Sequence, residues 1–216
     1  GQVGVGNREL QIAPMQIDSA TQWKSVAAGG RHTCAITVAN TLRCWGANDR
    51  GQLGTGDTQD QLAPAAIQEN VAKVWTVVAA GSKHTCAITG SDLWCWGDNN
   101  FGQLADSTDI ITRRLTPQAS ISSVLKVAAG GKHTCVTYLD KYGVWCAGAN
   151  DSGQLGDGTT TSKISPSQCN IGTQNSISAP RDITVSAGGQ HTCATREDGT
   201  LLCWGNNTFG QVGSNQ

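Results

Sequence analysis

Short apolar runs separated by polar, glycine-rich turns cover this chain, and the same order of runs returns four times. In the first copy residues 26–37 read VAAGGRHTCAIT, and a Cys-Trp-Gly triplet follows at 44–46 after a polar turn. Corresponding runs begin at Val78, Val127 and Val185. The runs are bounded by turn residues and lack the i, i+3, i+4 spacing of an amphipathic helix, so they predict β-strands.

A proline-containing apolar segment precedes each of these copies. The segments occupy residues 13–17, 63–67, 116–119 and 165–169. Proline inside a strand removes a ladder hydrogen bond, so we expect these segments to be edge strands. Each repeat then has four strands: the proline segment, the run into VAAG, the His-Thr-Cys strand, and the return strand that ends in Cys-Trp-Gly. Four short strands in about 50 residues predict one blade of a β-propeller.

The repeats follow one another without a break, which predicts an all-β protein with a single propeller array of about four blades over 1–216. The approximate repeats are 1–50, 51–101, 102–152 and 153–209, with a partial restart at 210–216. The last repeat has no proline strand after it, and residues 10–17 are expected to supply one. Three arrangements fit this order of strands: a ring closed within the chain, a ring completed by another copy, and part of a larger ring.

Eight of the nine cysteines form pairs that bracket a predicted turn, with separations of 9 to 11 residues. The pairs are Cys34 with Cys44, Cys86 with Cys95, Cys135 with Cys146, and Cys193 with Cys203. A hairpin folded at each turn brings the two Cβ atoms to within about 4.5–5.5 Å, which a disulfide can span. We therefore predict four disulfides and an extracellular or other oxidising compartment. The alternatives are reduced cysteines buried as small hydrophobes, and zinc sites, which the lack of a Cys-x-x-Cys motif disfavours.

The ninth cysteine, Cys169, lies at the repeat position that Ile17 and Ile67 occupy in the first two copies. It is expected to be a small buried hydrophobe, to pair with another chain or segment, or to be a reactive thiol.

Composition and charge narrow the choice of partners. Charged residues make up 14% of the chain and the formal net charge is -1. Such a balance creates no long-range field for nucleic acid or for an anionic membrane, so we predict no nucleic-acid partner. No apolar run approaches the roughly 18 residues of a membrane span, so we predict no membrane insertion.

Candidate chemistry is limited to groups that recur with the repeat. The four histidines stand one per repeat at the same place: His32, His84, His133 and His191. A ring of imidazoles near the axis could hold a metal, but a histidine fixed by a repeat more often hydrogen-bonds the backbone of its own blade or of the next. We predict no metal, no cofactor and no catalytic residue, because no Ser, His and Asp arrangement departs from the repeat background.

Four aromatic residues are candidates for contacts with a partner. Trp94 and Trp145 directly precede the second cysteine of their repeats, so they should point to the opposite strand face from the residue after that cysteine. Phe101 and Phe209 precede a Gly-Gln pair in two loops. The alternative for these aromatic residues is packing within the fold.

Two asparagines begin N-glycosylation sequons, Asn150-Asp-Ser and Asn206-Asn-Thr. Both lie in the turn after a Cys-x-Gly triplet. In a eukaryotic secreted protein they would be glycosylation sites, whereas in a bacterial protein they would have no such role.

The GGxHTCA, CWG and GQLG elements resemble the repeats of the regulator of chromosome condensation family, and most closely its cysteine-bearing bacterial and extracellular members. The resemblance covers essentially the whole chain. It implies a β-propeller, usually of seven blades, in which each repeat supplies one blade's worth of strands, often split between neighbouring blades. The family's best-known activity is guanine-nucleotide exchange on a nuclear small GTPase.

The family also includes a plant light sensor, in which tryptophan stands just before the basic residue of a Gly-Trp-Arg-His-Thr motif. In this chain those places hold Gly30, Ser82, Gly131 and Gly189. These residues disfavour a photoreceptor.

Together these observations predict a non-enzymatic secreted binding or scaffold protein that presents propeller loops to a protein or glycan partner. The alternatives are a structural subunit of an extracellular assembly, an inhibitor of a secreted hydrolase, and a regulator similar to a guanine-nucleotide exchange factor. The paired cysteines disfavour the last of these, because the nucleus is reducing. A homo-oligomer is a further expectation, since another copy could complete the ring.

Overall fold

The computed structural model describes residues 1–107, 112–172 and 183–213. Within these ranges the chain forms fifteen β-strands and no helix. The strands are β1 (Trp23–Ala28), β2 (His32–Thr37), β3 (Leu42–Gly46), β4 (Gln61–Ala66), β5 (Trp75–Ala80), β6 (His84–Thr89), β7 (Asp92–Asp98), β8 (Arg113–Ile121), β9 (Val124–Ala129), β10 (His133–Tyr138), β11 (Val144–Gly148), β12 (Lys163–Gln168), β13 (Thr184–Ala187), β14 (His191–Thr195) and β15 (Leu201–Gly205).

The strands form four antiparallel sheets, which are the blades of a propeller. Blade 1 is β1-β2-β3-β4, blade 2 is β5-β6-β7-β8, blade 3 is β9-β10-β11-β12 and blade 4 is β13-β14-β15. In the first three blades the outer strand contains the proline; in blade 1, Ala65 of β4 lies opposite Cys44 of β3. Each proline strand therefore completes the blade of the preceding repeat, as the family resemblance implies, and the all-β propeller fold is confirmed.

The blades form an open arc. Blade 1 packs on blade 2 through β1, β2 and β5, blade 2 on blade 3 through β5, β6 and β9, and blade 3 on blade 4 through β9, β10 and β13. A ring closed within the chain would cover the outer faces of blades 1 and 4. Val26 of blade 1 and Leu201 of blade 4 are exposed, so this arrangement is not formed.

The strand expected at residues 10–17 is also not formed. A strand needs a ladder of hydrogen bonds to a neighbour, and in the described part of the chain no blade precedes blade 1 to provide it. Leu10 and Ile12 are consequently exposed to solvent.

The hydrophobic core lies between neighbouring blades. At the first junction Trp75 and Trp96 meet edge to face, with ring centroids 6.3 Å apart. The leucine of each Gly-Gln-Leu loop is fully buried in a core cluster, as Leu53, Leu104 and Leu155 show. Burial of one such side chain contributes about 1.5–3 kcal/mol, which explains why the loop leucine recurs.

All four expected disulfides are present. Each joins directly opposed residues on the second and third strands of its blade, with Cα atoms 4.1 or 4.2 Å apart. In blades 1 to 3 these cysteines are fully buried. A disulfide that closes a short hairpin adds about 2–3 kcal/mol of stability by restricting the unfolded chain.

Cys169 is the free cysteine of the described chain, and it is buried. Its Sγ lies 3.4 Å from Sγ of Cys146, and its backbone N–H donates to the carbonyl of Val144 at 2.8 Å. Burial raises the pKa of its thiol, which keeps the side chain neutral. Cys169 therefore fills the core position that Ile67 fills in blade 1, which favours the expectation of a small buried hydrophobe.

Candidate functional site

Three of the four repeated histidines lie at the blade junctions, and each of these three contacts a threonine of the next blade. Nε2 and Oγ1 are 2.8 Å apart between His32 and Thr85, 2.9 Å between His84 and Thr134, and 2.9 Å between His133 and Thr192. The threonine hydroxyl donates its own proton to the glutamine carbonyl of a Gly-Gln loop. It must therefore accept from the histidine, which fixes the proton on Nε2. The partner is a side chain, whereas the sequence had suggested a backbone group.

Burial keeps these histidines neutral. It lowers the pKa of His32 and of His133 to about 4, and that of His84 to about 3. A neutral imidazole with its Nε2 proton donated to a neighbouring blade is a structural element of the junction. His32, His84 and His133 thus connect neighbouring blades.

The glycine-rich turn between the first and second strands of each blade, which we call the tip, lies beside the histidine. Backbone hydrogen bonds join the tips of neighbouring blades. Gly30 N donates to Gly81 O at 3.0 Å, Ser82 N to Gly130 O at 3.2 Å, and Gly131 N to Gly188 O at 3.0 Å. The tips approach so closely that a Cβ atom added to Gly131 would collide with the carbonyl oxygen of Gly189. A bulky side chain at this position would force the tips apart.

One face of the arc carries these tips together with the Gly-Gln loops. We call it the loop face, and it consists of residues 29–31, 81–83, 130–132 and 188–190 with 47–54, 98–105, 149–156 and 206–213. Within each blade a 2.8 Å backbone hydrogen bond ties tip to loop, as from Ala47 N to Arg31 O. Inside the first loop, Asn48 Oδ1 accepts from Leu53 N at 3.0 Å. The loop face is therefore a braced surface, which suits the presentation of side chains.

Charged groups on the loop face connect neighbouring blades. Lys83 Nζ donates to a carboxylate oxygen of Asp49 at 2.7 Å, and this hydrogen bond lowers the pKa of Asp49. The ammonium group of Lys132 lies 4.5 Å from the ring centroid of Phe101. Asp98 is buried between these pairs; burial raises its pKa, although Gln103 Nε2 donates to it at 2.7 Å. One lysine therefore spans each of the first two junctions on the loop face, and it contacts a carboxylate at the first and an aromatic ring at the second.

Phe209 and Arg31 are exposed side chains of the loop face. Phe209 is 93% exposed. Arg31 is also exposed, and within the described residues its guanidinium makes no ion pair or hydrogen bond. Phe209 is among the candidates that the sequence indicates, whereas the basic residues of the tips are not, although the residue before the histidine is basic in three of the four repeats.

Two models of the regulator of chromosome condensation (RCC1) repeat match the chain. One matches residues 1–36, 42–88, 91–137 and 143–195, and the other matches 23–52, 75–103 and 183–211. The chain belongs to the RCC1 repeat family.

Relatives in this family span very different whole proteins. Ultraviolet-B receptor UVR8 of Arabidopsis thaliana is 35% identical over 219 residues, which cover 99% of this chain and 48% of that protein. E3 ubiquitin-protein ligase HERC2 of Homo sapiens is 30% identical over 221 residues, which cover 99% of this chain and 4% of the ligase. The chain therefore spans about half of the first relative and a small part of the second.

Solved structures of the RCC1 type share the fold. Human WBSCR16 superimposes with a TM-score of 0.83 at 24% identity, over 100% of this chain and 57% of that one. Prp20p from Saccharomyces cerevisiae superimposes with a TM-score of 0.67 at 23% identity, over 78% of this chain and 42% of that one. At these identities the likeness establishes the propeller architecture.

The two RCC1-repeat tryptophans expected to be exposed are half-buried. The ring of Trp145 packs edge-on against Tyr138 with centroids 5.8 Å apart, and Lys73 Nζ lies 4.3 Å above the ring of Trp94. Side chains alternate between the two faces of a strand, and an inner blade packs against another blade on each face. The rings of these tryptophans therefore face a neighbouring blade. Neither tryptophan lies on the loop face, whereas Phe101 and Phe209 both do.

The two sequons differ in accessibility. Asn150 is fully buried, and its Nδ2 donates to the carbonyls of Thr159 at 3.0 Å and Thr161 at 3.2 Å. A glycan on this nitrogen is incompatible with the fold, so the expectation of glycosylation at Asn150 is wrong. Asn206 is half-exposed with Nδ2 3.2 Å from Gln190 Oε1, and glycosylation there stays a prediction.

No group of three or more His, Cys, Asp or Glu residues in the described ranges is placed to hold a metal ion. The same part of the chain contains no helix long and apolar enough to cross a membrane.

Proposed function

We propose that this protein is a non-enzymatic binding module of an oxidising compartment, and that it presents the loop face to a protein partner. The observation that carries the proposal is a contrast between framework and surface. The junction residues repeat from blade to blade, but the residue before the Gly-Gln pair is in turn Arg50, Phe101, Ser152 and Phe209. Variable side chains on a rigid, repetitive frame are typical of a recognition surface.

The chemistry of the loop face supports a protein partner. Aromatic and arginine side chains dominate the binding energy of protein interfaces, and Phe209 and Arg31 are both exposed here. Lys132 adds a further cation beside Phe101. A partner with carboxylates around an apolar pocket complements these groups. A glycan would instead need several aligned hydrogen-bonding groups, and most amide side chains of the loops already brace the loops.

The use of the histidines supports a role other than catalysis. A general acid or base must reach the substrate with its proton. His32, His84 and His133 are buried and give their Nε2 protons to threonines of the next blade. The buried disulfides support an oxidising compartment, since such pairs do not persist in a reducing one.

The named activities of relatives are weaker candidates. The UVR8 relative is a receptor for ultraviolet-B, but the tip positions discussed above hold glycine or serine in this chain. The Prp20p structure is described by its binding to Gsp1p and histones, and at 23% identity only its fold is shared with this chain. A nuclear exchange activity also fits poorly with four disulfides.

The test compares partners captured by wild-type protein and by a loop-face variant. Immobilised protein is incubated with the secreted fraction of its host, and bound proteins are identified by quantitative mass spectrometry. Combined Arg31→Glu and Phe209→Ser substitutions should abolish capture of the partner. The matched control combines Lys141→Glu and Val38→Ser, which change the same residue classes at hairpin turns away from the loop face. Equal capture by wild type and the loop-face variant would refute the proposal.

A further inference from the structure

The connection between blades 1 and 2 departs from the repeat. Residues 67–74 join β4 to β5, whereas only residues 122–123 join β8 to β9. Glu69 holds the longer connection in shape, because its carboxylate accepts from Trp75 Nε1 at 2.6 Å and from Lys73 N at 2.9 Å. A binding site for one ligand must differ from the repeat background, and this connection is such a place.

A cavity of about 190 Å³ lies between this connection and blade 2. Gln68, Asn70 and Lys73 line it from the connection, Trp94 lines it from β7, and Gln118 lines it from the outer strand β8. Cavities that hold drug-sized ligands measure about 300–1,000 Å³, so this one suits a single small ring. None of its lining residues belongs to the loop face.

Amide groups of the cavity are available to a ligand. Gln68 and Asn70 are exposed, and within the described residues their side chains make no hydrogen bond. Gln118 donates from Nε2 to Thr116 Oγ1 at 3.1 Å, which leaves its amide oxygen without a donor in the same part of the chain. The loop-face glutamines differ, because amides such as that of Gln52 brace their own loops.

The charges and the apolar surface of the cavity restrict its ligand. Lys73 Nζ lies 4.3 Å from the ring centroid of Trp94, so the lysine side chain and the indole form one wall. The carboxylate of Glu69 also lines the cavity and balances the ammonium charge. A site without net charge favours an uncharged ligand, because burial of an unpaired charge is costly.

Hydroxyl groups match these amides in chemistry. Each hydroxyl both donates and accepts hydrogen bonds, and so does each amide side chain, whereas a peptide N–H or C=O group has only one of these roles. We propose that the cavity binds one uncharged pyranose ring, as a free sugar or as the terminal residue of a glycan. Its hydroxyls bond the amides of Gln68, Asn70 and Gln118, and its C–H groups contact the wall that contains Trp94.

Saturation-transfer difference NMR of the whole protein tests this site with D-glucose, D-galactose, D-mannose and N-acetyl-D-glucosamine at millimolar concentration. At least one of these sugars should receive saturation. Combined Gln68→Ala and Asn70→Ala substitutions should weaken its binding about tenfold, because two hydrogen bonds are lost. Both side chains are exposed, so the fold should be unchanged. Gln59→Ala with Asn7→Ala is the matched control, since it removes exposed amides outside the cavity and should bind like wild type.

A glycan array separates the two sources of the ring. Capture of glycans that end in the bound sugar assigns the site to terminal residues, whereas binding of the free sugar alone assigns it to soluble sugars, and either result supports the proposal. Binding of none of the four sugars would overturn it, as would equal binding by wild type and the cavity variant.

The loop-face variant, with Arg31→Glu and Phe209→Ser, should bind the sugar like wild type. The outcome for the cavity is therefore independent of the outcome for the proposed protein partner. Sugar binding that is lost in the loop-face variant and kept in the cavity variant would place the ligand on the loop face, and the proposal would be wrong.

Discussion

His84 Nε2 lies 2.9 Å from Thr134 Oγ1, and this contact joins the second blade to the third inside the core. The same hydroxyl donates to the carbonyl of Gln103 at 2.7 Å. One threonine therefore satisfies two buried groups, in two different parts of the junction. Its removal leaves both without a partner.

The first prediction concerns this hydroxyl. Thr134→Val keeps the volume but leaves the imidazole N–H and the Gln103 carbonyl unsatisfied, which should lower the free energy of unfolding by about 2–5 kcal/mol. Urea denaturation measures the change. Thr33→Val is the matched control, because within the described residues Thr33 contacts no histidine and its hydroxyl donates to the exposed carbonyl of Gln2, so it should cost less than about 1 kcal/mol. Similar losses for the two variants would show that the histidine contact is unimportant.

The second prediction concerns pH. The pKa values of about 4, 3 and 4 for His32, His84 and His133 lie below the value of about 6.5 in the unfolded chain. The unfolded state therefore binds more protons below pH 6.5, and stability is complete above that pH and is lost as the pH falls toward 4. Near pH 5 the three groups together should give a slope of about 4 kcal/mol per pH unit. Unfolding free energies that are equal at pH 7 and pH 5 would rule this out.

The third prediction concerns a glycine that ends a return strand. Gly97 has a φ of 98°, and a Cβ atom there would lie 2.5 Å from the carbonyl oxygen of Lys83. Gly97→Ala should therefore cost more than about 3 kcal/mol, from strain and collision together. Gly90 also has a positive φ, 60°, but has open space around it, so Gly90→Ala should cost only about 1–2 kcal/mol. Thermal unfolding of both variants checks the order, and the reverse order would contradict the junction geometry.

The fourth prediction concerns Cys169. Its thiol is buried and its pKa is raised, so alkylation by iodoacetamide at neutral pH should be negligible in the native protein and complete in denaturant. Peptide mass spectrometry identifies the labelled residue. Rapid labelling of the native chain would mean that the side chain is accessible after all.

The regular part of the molecule could be predicted from sequence because it repeats. Four copies of one pattern fixed the strands, the cysteine pairs and the propeller, since the contacts involved are local hairpins. The contacts between repeats could not be read in this way. The partner of His84 is 50 residues away, and nothing in a single repeat indicates that it is a threonine.

Burial produced the errors at individual sites. Asn150 begins a sequon, but its side chain is buried in the loop. Its amide oxygen accepts a hydrogen bond from the backbone N–H of Leu155 in the same loop. Trp94 and Trp145 alternate as expected, yet a blade has neighbours on both faces. The failure of residues 10–17 to form a strand has the same origin, because pairing depends on a neighbouring blade.

Four disulfides stabilise this propeller, and we propose that it works in an oxidising compartment. The most direct test is the intact mass of the natural protein, denatured, before and after reduction. Four disulfides predict a gain of eight hydrogens per chain on reduction, with one thiol, Cys169, already open to alkylation before it. No gain in mass would contradict both the disulfides and the compartment.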